Sequence, residues 1–166
     1  MLYRFSVFLL IYVALAAELH HDKLELVYYD KSYIKNPIFS ISELNGQYGF
    51  NISFDLLKDL GMHVKLNINI SMQEENSKEY TSMQNFEDMD VCDMLKSDMF
   101  GIRKLMAVAN ITDCPWKAGH YKMLDLKGDP SGLPPVPSGN YMTGISVFDD
   151  NKLLTEMVWM GSVTDT

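Results

Sequence analysis

The sequence predicts a mainly β protein built from antiparallel strands, with one short α-helix. Residues 48–55 and 62–72 each alternate large apolar with small or polar residues, which is the period of a half-buried strand. Antiparallel sheets with one face in water produce this alternation, whereas buried parallel strands are apolar on both faces. After Asp90 the apolar spacing changes to three and four residues, which is typical of an amphipathic helix.

The first residues have the composition of a secretory signal. Arg4 precedes an apolar run from Phe5 to Leu15, and Ala14-Leu15-Ala16 is a small-x-small cleavage site. The run is too short to span a bilayer once its flanks are removed. We therefore predict a signal peptide at residues 1–16 and a single secreted, extracellular domain at residues 17–166, with no transmembrane segment in the mature chain.

The charge balance excludes one class of partner. The chain has 14 Lys and Arg against 22 Asp and Glu, for a formal charge of -8, and removal of Arg4 with the signal makes the mature chain more acidic. Without a cluster of basic residues, the sequence predicts no nucleic-acid binding and no electrostatic docking on anionic lipid.

Further elements follow in chain order from the same patterns. Strands are predicted at residues 23–29, 39–44, 48–55, 62–72, 79–86, 121–126, 140–148 and 153–163. The short connection from Leu56 to Gly61 favours an antiparallel pair between the two strongly alternating strands. Asp90 or Asp88 is expected to cap the helix, which is interrupted near Gly101. Lys127 to Gly139 contains four prolines and is expected to be a surface loop.

Three glycosylation sequons occur, at Asn51, Asn69 and Asn110. The first two asparagines fall on the polar face that the alternation defines. Two independent patterns therefore predict the same water-facing side for these strands.

The two cysteines, Cys92 and Cys114, are expected to form a disulfide because the predicted compartment is oxidising. Two free buried thiols are the alternative. Motifs of catalysis are missing: the sequence has no Gly-x-Ser-x-Gly elbow, no phosphate-binding loop and no His-Glu-x-x-His, and its acidic run at residues 87–93 lacks the glycine of a calcium loop. We expect neither an enzyme nor a bound cofactor or metal.

Motifs in the second half of the chain resemble those of a known family. The motifs are Cys114-Pro115-Trp116, then Gly119-His120-Tyr121, then Pro137-Ser138-Gly139-Asn140-Tyr141 and a closing hairpin. They resemble a family of secreted insect proteins of unknown detailed function (DUF1091-like), which is distantly similar to the GM2 ganglioside activator and the MD-2-related lipid-recognition (ML) proteins. The resemblance covers roughly residues 45–163. The family pattern usually has a further cysteine pair in its N-terminal half, which this chain lacks.

The resemblance implies an ML-like antiparallel β-sandwich or cup with an open apolar space between its sheets. The strand alternation then suggests which residues line that space, namely Phe50, Ile52 and Phe54 facing Val64, Leu66 and Ile68. Trp116 and Tyr141 are candidates for its rim, although Trp116 could instead cover the disulfide. Twelve methionines fit a cavity that adapts to apolar ligands, and Met62, Met72, Met94, Met106, Met142 and Met157 are expected to point inward.

Together these features predict a secreted, glycosylated protein that binds a lipid or small hydrophobic molecule between two β-sheets. The insect relatives suggest a chemosensory or lipid-presentation setting, with an extracellular receptor as a further partner. The alternative is an extracellular protein-interaction domain with a filled core and no ligand cavity.

Overall fold

A computed structural model describes residues 18–44, 46–99, 102–126 and 137–164. The strands are β1 (Glu18–Tyr29), β2 (Ile34–Leu44), β3 (Gln47–Leu56), β4 (Val64–Gln73), β5 (Tyr80–Asp90), β6 (Gly119–Leu126), β7 (Gly139–Asp149) and β8 (Lys152–Thr164). The helices are α1 (Val91–Ser97) and α2 (Ile102–Ala107). The signal predicted at residues 1–16 and most of the predicted proline-rich loop lie outside the described residues.

The strands form two antiparallel sheets. The larger sheet has the order β1-β8-β7-β4-β5 and the smaller one β2-β3-β6. Buried residues of both sheets, such as Leu56 and Val64, belong to one hydrophobic cluster, so the sheets pack face to face. The prediction of a mainly β, antiparallel sandwich with a short helical segment is confirmed. Among the described residues, no helix is both long and apolar enough to cross a bilayer.

The expected pairing of β3 with β4 is wrong. The alternation in both strands is real, but β3 pairs with β2 and β6, while β4 pairs with β5 and β7. The connection between them is not a tight hairpin, because Leu60 is buried and its N–H donates a 2.8 Å hydrogen bond to the carbonyl of Trp116. The chain therefore crosses from one sheet to the other after Leu56.

The two sides of the sandwich are closed differently. On one side β1 and β2 lie against each other, joined by a turn in which Tyr33 and Ile34 donate to the carbonyl of Asp30. On the other side the edge strands are β5 and β6, and the disulfide between Cys92 and Cys114 joins the segments next to them. The predicted disulfide is confirmed, and it ties the edge of the larger sheet to the edge of the smaller one.

The helical segment begins where the sequence suggests. Asp90 has extended backbone geometry, and its side chain accepts hydrogen bonds from the N–H groups of Cys92 and Asp93 at 2.9 and 3.0 Å. This is the usual bonding of an N-cap, so Asp90 and not Asp88 is the cap. Helix α1 ends at Asp98, whose left-handed φ of 49° interrupts the helix and separates it from α2.

Candidate functional site

A cavity of about 240 Å³ lies between the two sheets. Its wall is formed by residues of both sheets, of both helices and of the segments before β4 and β6. All lining residues are hydrophobic except Thr143 and Thr155, and none carries a charge. The surface that the site offers a ligand is therefore almost entirely apolar.

Strand β3 supplies the wall that the sequence predicts. Phe50, Ile52 and Phe54 all line the cavity, and Leu56 continues the same face. Across the space, Leu66 and Ile68 of β4 also line it. These five predicted residues meet because side chains of a strand alternate between its faces and the two sheets turn their apolar faces toward each other.

Val64 was expected on this wall, and the structure places it elsewhere. Its side chain is completely buried and belongs to a packed cluster with Leu56, Leu60, Val91 and Leu154, but it does not line the cavity. Val64 is the first residue of β4, close to where the chain crosses between the sheets. It faces inward as predicted, but the side chains of its cluster separate it from the cavity.

Tyr141 is also not a rim residue. It is only 1% exposed, it does not line the cavity, and its hydroxyl donates a 2.7 Å hydrogen bond to the carbonyl of Pro137. Burial raises the pKa of its phenol above the usual value. It packs with Ile70, Trp159 and Val163 in a second buried cluster, because it shares the inner face of β7 with Thr143.

Trp116 does line the cavity, at its disulfide end, which we define by Leu60, Trp116 and the Cys92–Cys114 bond. The indole is half-buried, and its centroid lies 6.5 Å from that of Tyr121, which stacks on Phe54 at 5.4 Å. Its Nε1 is buried without a hydrogen-bond partner among the described residues. The side chain therefore lines the cavity, and it follows Cys114 by two positions in the sequence.

Of the lining residues that the last two strands and the helices contribute, the sequence prediction included only Met106 and Met157. The lining residues of these elements are Ile145, Val147, Leu154, Met157 and Trp159 on β7 and β8, and Val91, Ile102 and Met106 on the helical segment. The signal was present in the sequence, because Gly144 and Ser146 alternate with Ile145 and Val147. This alternation predicts a strand, and by itself it does not show which sheet that strand joins or which space its apolar face meets.

The opposite, aromatic end of the cavity is defined by His21, Phe50 and Trp159. The His21 ring meets Phe50 edge-on at 4.8 Å and Trp159 at 5.7 Å, and it also contacts Tyr48 at 5.3 Å. Nε1 of Trp159 donates a 2.9 Å hydrogen bond to Nδ1 of His21, which requires a neutral imidazole with its proton on Nε2. Burial lowers the pKa of His21 from 6.5 to about 4, His20 adds to this effect and Asp22 opposes it.

This arrangement predicts a pH-dependent stability. Because the pKa of His21 is lower in the folded chain, the unfolded chain takes up a proton between pH 6.5 and 4 that the folded chain does not. The contribution of His21 to the free energy of unfolding should be constant above pH 6.5, and it should decrease as the pH is lowered from 6.5 to 4. Since the ring is partly exposed, we expect a loss of about 1–2 kcal/mol.

Urea unfolding at pH 7 and at pH 4.5 checks this expectation, with the His21→Phe variant as control. Carboxyl groups titrate alike in both proteins, so the difference between the two profiles isolates His21. Equal losses of unfolding free energy in the two proteins over this pH range would contradict the assignment.

The methionines divide between the cavity and the surface. Met106 and Met157 line the cavity and Met94 is buried, as expected, while Met72 packs partly buried against the second cluster. The inward direction predicted for Met62 is wrong, because this residue is 47% exposed in the connection before β4 begins. Met142 lies on the face of β7 opposite to Thr143, so its predicted inward direction is also wrong.

The sequon asparagines lie away from the cavity. Asn51 alternates with Phe50 and Ile52 on β3, and its Oδ1 accepts a hydrogen bond from the N–H of Asp125. Asn69 donates to Ser82 at 3.0 Å on the outer face of the larger sheet. Asn110 is exposed in the turn after α2.

Comparison with known protein families shows a match over part of the chain. Residues 66–143 match the model of a family described as a protein of unknown function (DUF1091). The matched segment begins in β4, contains both helices and both cysteines, and ends in β7. A comparison with curated proteins gives no match. The family match supports the DUF1091-like resemblance of the sequence over this segment.

Proposed function

We propose that this chain is a secreted binding protein that holds a lipid or another small hydrophobic molecule between its two β-sheets. The observation that carries this proposal is the cavity of about 240 Å³ with its apolar wall. A core without a ligand is normally packed to the density of organic crystals, with few voids larger than a water molecule. The cavity therefore favours a carrier over an interaction domain with a filled core.

The volume suggests the size of the ligand. A methylene group is close in size to a water molecule, which occupies about 30 Å³ in the liquid, so the space has room for roughly eight such groups. Burial of a methylene contributes about 0.8 kcal/mol, so a chain of this length would gain on the order of 6 kcal/mol before ordering costs are subtracted. We infer a single hydrocarbon chain of medium length.

Binding without catalysis fits the chemistry of the wall. The lining residues include two threonines and two indoles but no carboxylate, imidazole or thiol that could act as acid, base or nucleophile. The confirmed disulfide and the surface position of Asn51, Asn69 and Asn110 support secretion and glycosylation. An origin in the secreted insect family, its distant relation to the GM2 activator and the MD-2-related proteins, a chemosensory role and an extracellular receptor belong to the same proposal.

A series of straight-chain alcohols tests the proposal. Displacement of an environment-sensitive naphthylamine dye should show affinity rising about fourfold for each added methylene, because about 0.8 kcal/mol is gained each time. The rise should stop at about eight carbons, when the cavity is full. The proposal fails if no alcohol displaces the dye, or if affinity shows no dependence on chain length.

A further inference from the structure

Thr143 is a polar residue in a wall that is otherwise almost entirely hydrocarbon. It is 2% exposed, and its Oγ1 is buried with no hydrogen-bond partner among the described residues. A buried hydroxyl without a partner is costly, and a valine of nearly the same shape would avoid the cost. The hydroxyl is thus unfavourable to the empty protein.

The two cross-strand neighbours of Thr143 offer its hydroxyl no side-chain partner. Across the larger sheet Thr143 faces Ile70 on β4 and Trp159 on β8. The only polar side-chain atom of these two residues is Nε1 of Trp159, which already donates to Nδ1 of His21. No described residue bonds this hydroxyl, and a molecule in the cavity that Thr143 lines can supply the missing partner.

A second unpartnered group, Nε1 of Trp116, lies at the disulfide end. Phe50 marks the aromatic end near Thr143, and Phe54 marks the end near Trp116, four positions further along β3. At about 3.3 Å per residue, the two ends are separated by roughly 13 Å. A small polar group of a ligand cannot contact both, so the two positions can be tested separately.

We propose that the cavity selects chains that carry an uncharged oxygen function, such as an alcohol, aldehyde, ketone or ester, and that this oxygen forms a hydrogen bond with Thr143. The proposal rests on the binding function proposed above and names its ligand class. Staggered rotamers of threonine exchange its methyl and hydroxyl groups, so the hydroxyl can turn toward the ligand. Ionised carboxylates are disfavoured, because no charged side chain lines the space.

Binding of decanol and of undecane, which have the same number of non-hydrogen atoms, tests this selection. Each ligand is measured on the wild-type chain and on Thr143→Val by dye displacement. The hydration free energy of a ligand cancels when its affinities for the two proteins are compared. A loss of affinity in Thr143→Val that occurs for decanol and not for undecane therefore reports the hydrogen bond. We expect Thr143→Val to weaken decanol binding about tenfold and to leave undecane binding within twofold.

Two further measurements keep the outcome decisive. Thr143→Val without ligand should unfold at the same temperature as the wild type or higher, and a clear decrease would show that the hydroxyl has a structural partner and overturn the proposal. Trp116→Phe should leave the ratio of the affinities for decanol and undecane unchanged. Loss of the preference in Trp116→Phe but not in Thr143→Val would overturn the assignment to Thr143.

The result also separates this inference from the proposed function. If both ligands bind the wild type and Thr143→Val affects them equally, selection by Thr143 is wrong while the carrier function stands. If neither ligand binds the wild type, both proposals fail.

Discussion

Replacing both Cys92 and Cys114 by alanine should lower the free energy of unfolding by about 3 kcal/mol. The bond closes a loop with a sequence separation of 22 residues, and its loss releases the corresponding chain entropy in the unfolded state. In this fold the bond also joins the segments beside the edge strands β5 and β6, on the side where the two sheets do not otherwise meet through adjacent strands. The helical segment that covers this side of the cavity should therefore loosen.

Urea unfolding of the double variant measures this effect, and amide hydrogen exchange shows where it acts. Protection should fall most in α1 and α2 and least in β7 and β8. The wild-type chain unfolded with and without a reducing agent serves as the matched control. A loss below about 1 kcal/mol would contradict the role given to the disulfide.

Replacing Ile52 by tryptophan should abolish ligand binding, with a decrease in affinity for decanol of at least a hundredfold. Ile52 lies in the middle of β3 with its side chain on the cavity wall, so a larger side chain occupies the space that the ligand needs. In a filled core the same change would be destabilising by about 1–3 kcal/mol through overpacking. Here the cavity accepts the added atoms, so stability should change little.

Ile38→Trp is the matched control for this variant. Ile38 lies on the neighbouring strand β2, is 59% exposed and does not line the cavity. The Ile38→Trp variant should bind decanol with the affinity of the wild type. Wild-type affinity in Ile52→Trp, or severe destabilisation of that variant, would indicate that the sheets enclose no usable space.

The alternation of single strands predicted most of the fold and much of the cavity wall. A period of two shows which side chains share a face, and Phe50, Ile52 and Phe54 fall together for that reason. It does not show which strands are neighbours, because register and pairing depend on contacts that are distant in sequence. This is why β3 and β4 were expected to pair, although they belong to opposite sheets.

The errors at Val64 and Tyr141 have a related cause. Both residues point inward, but whether such a residue lines the space depends on the side chains that pack around it. Val64 belongs to the buried cluster that contains Leu56 of the facing sheet, and Tyr141 belongs to the cluster that contains Trp159 of its own sheet. The unpartnered hydroxyl of Thr143 could not have been found from the sequence, because a threonine in a strand usually signals only β propensity.

The most direct test of the central claim uses the methionines as reporters of position. Met106, Met123 and Met157 line the cavity, whereas Met62, Met83 and Met99 are exposed large hydrophobic residues outside it. With methyl groups of methionine labelled by carbon-13, bound decanol should give intermolecular nuclear Overhauser effects to the first three and none to the last three. Effects confined to the exposed methionines, or none at all, would contradict a binding site between the sheets.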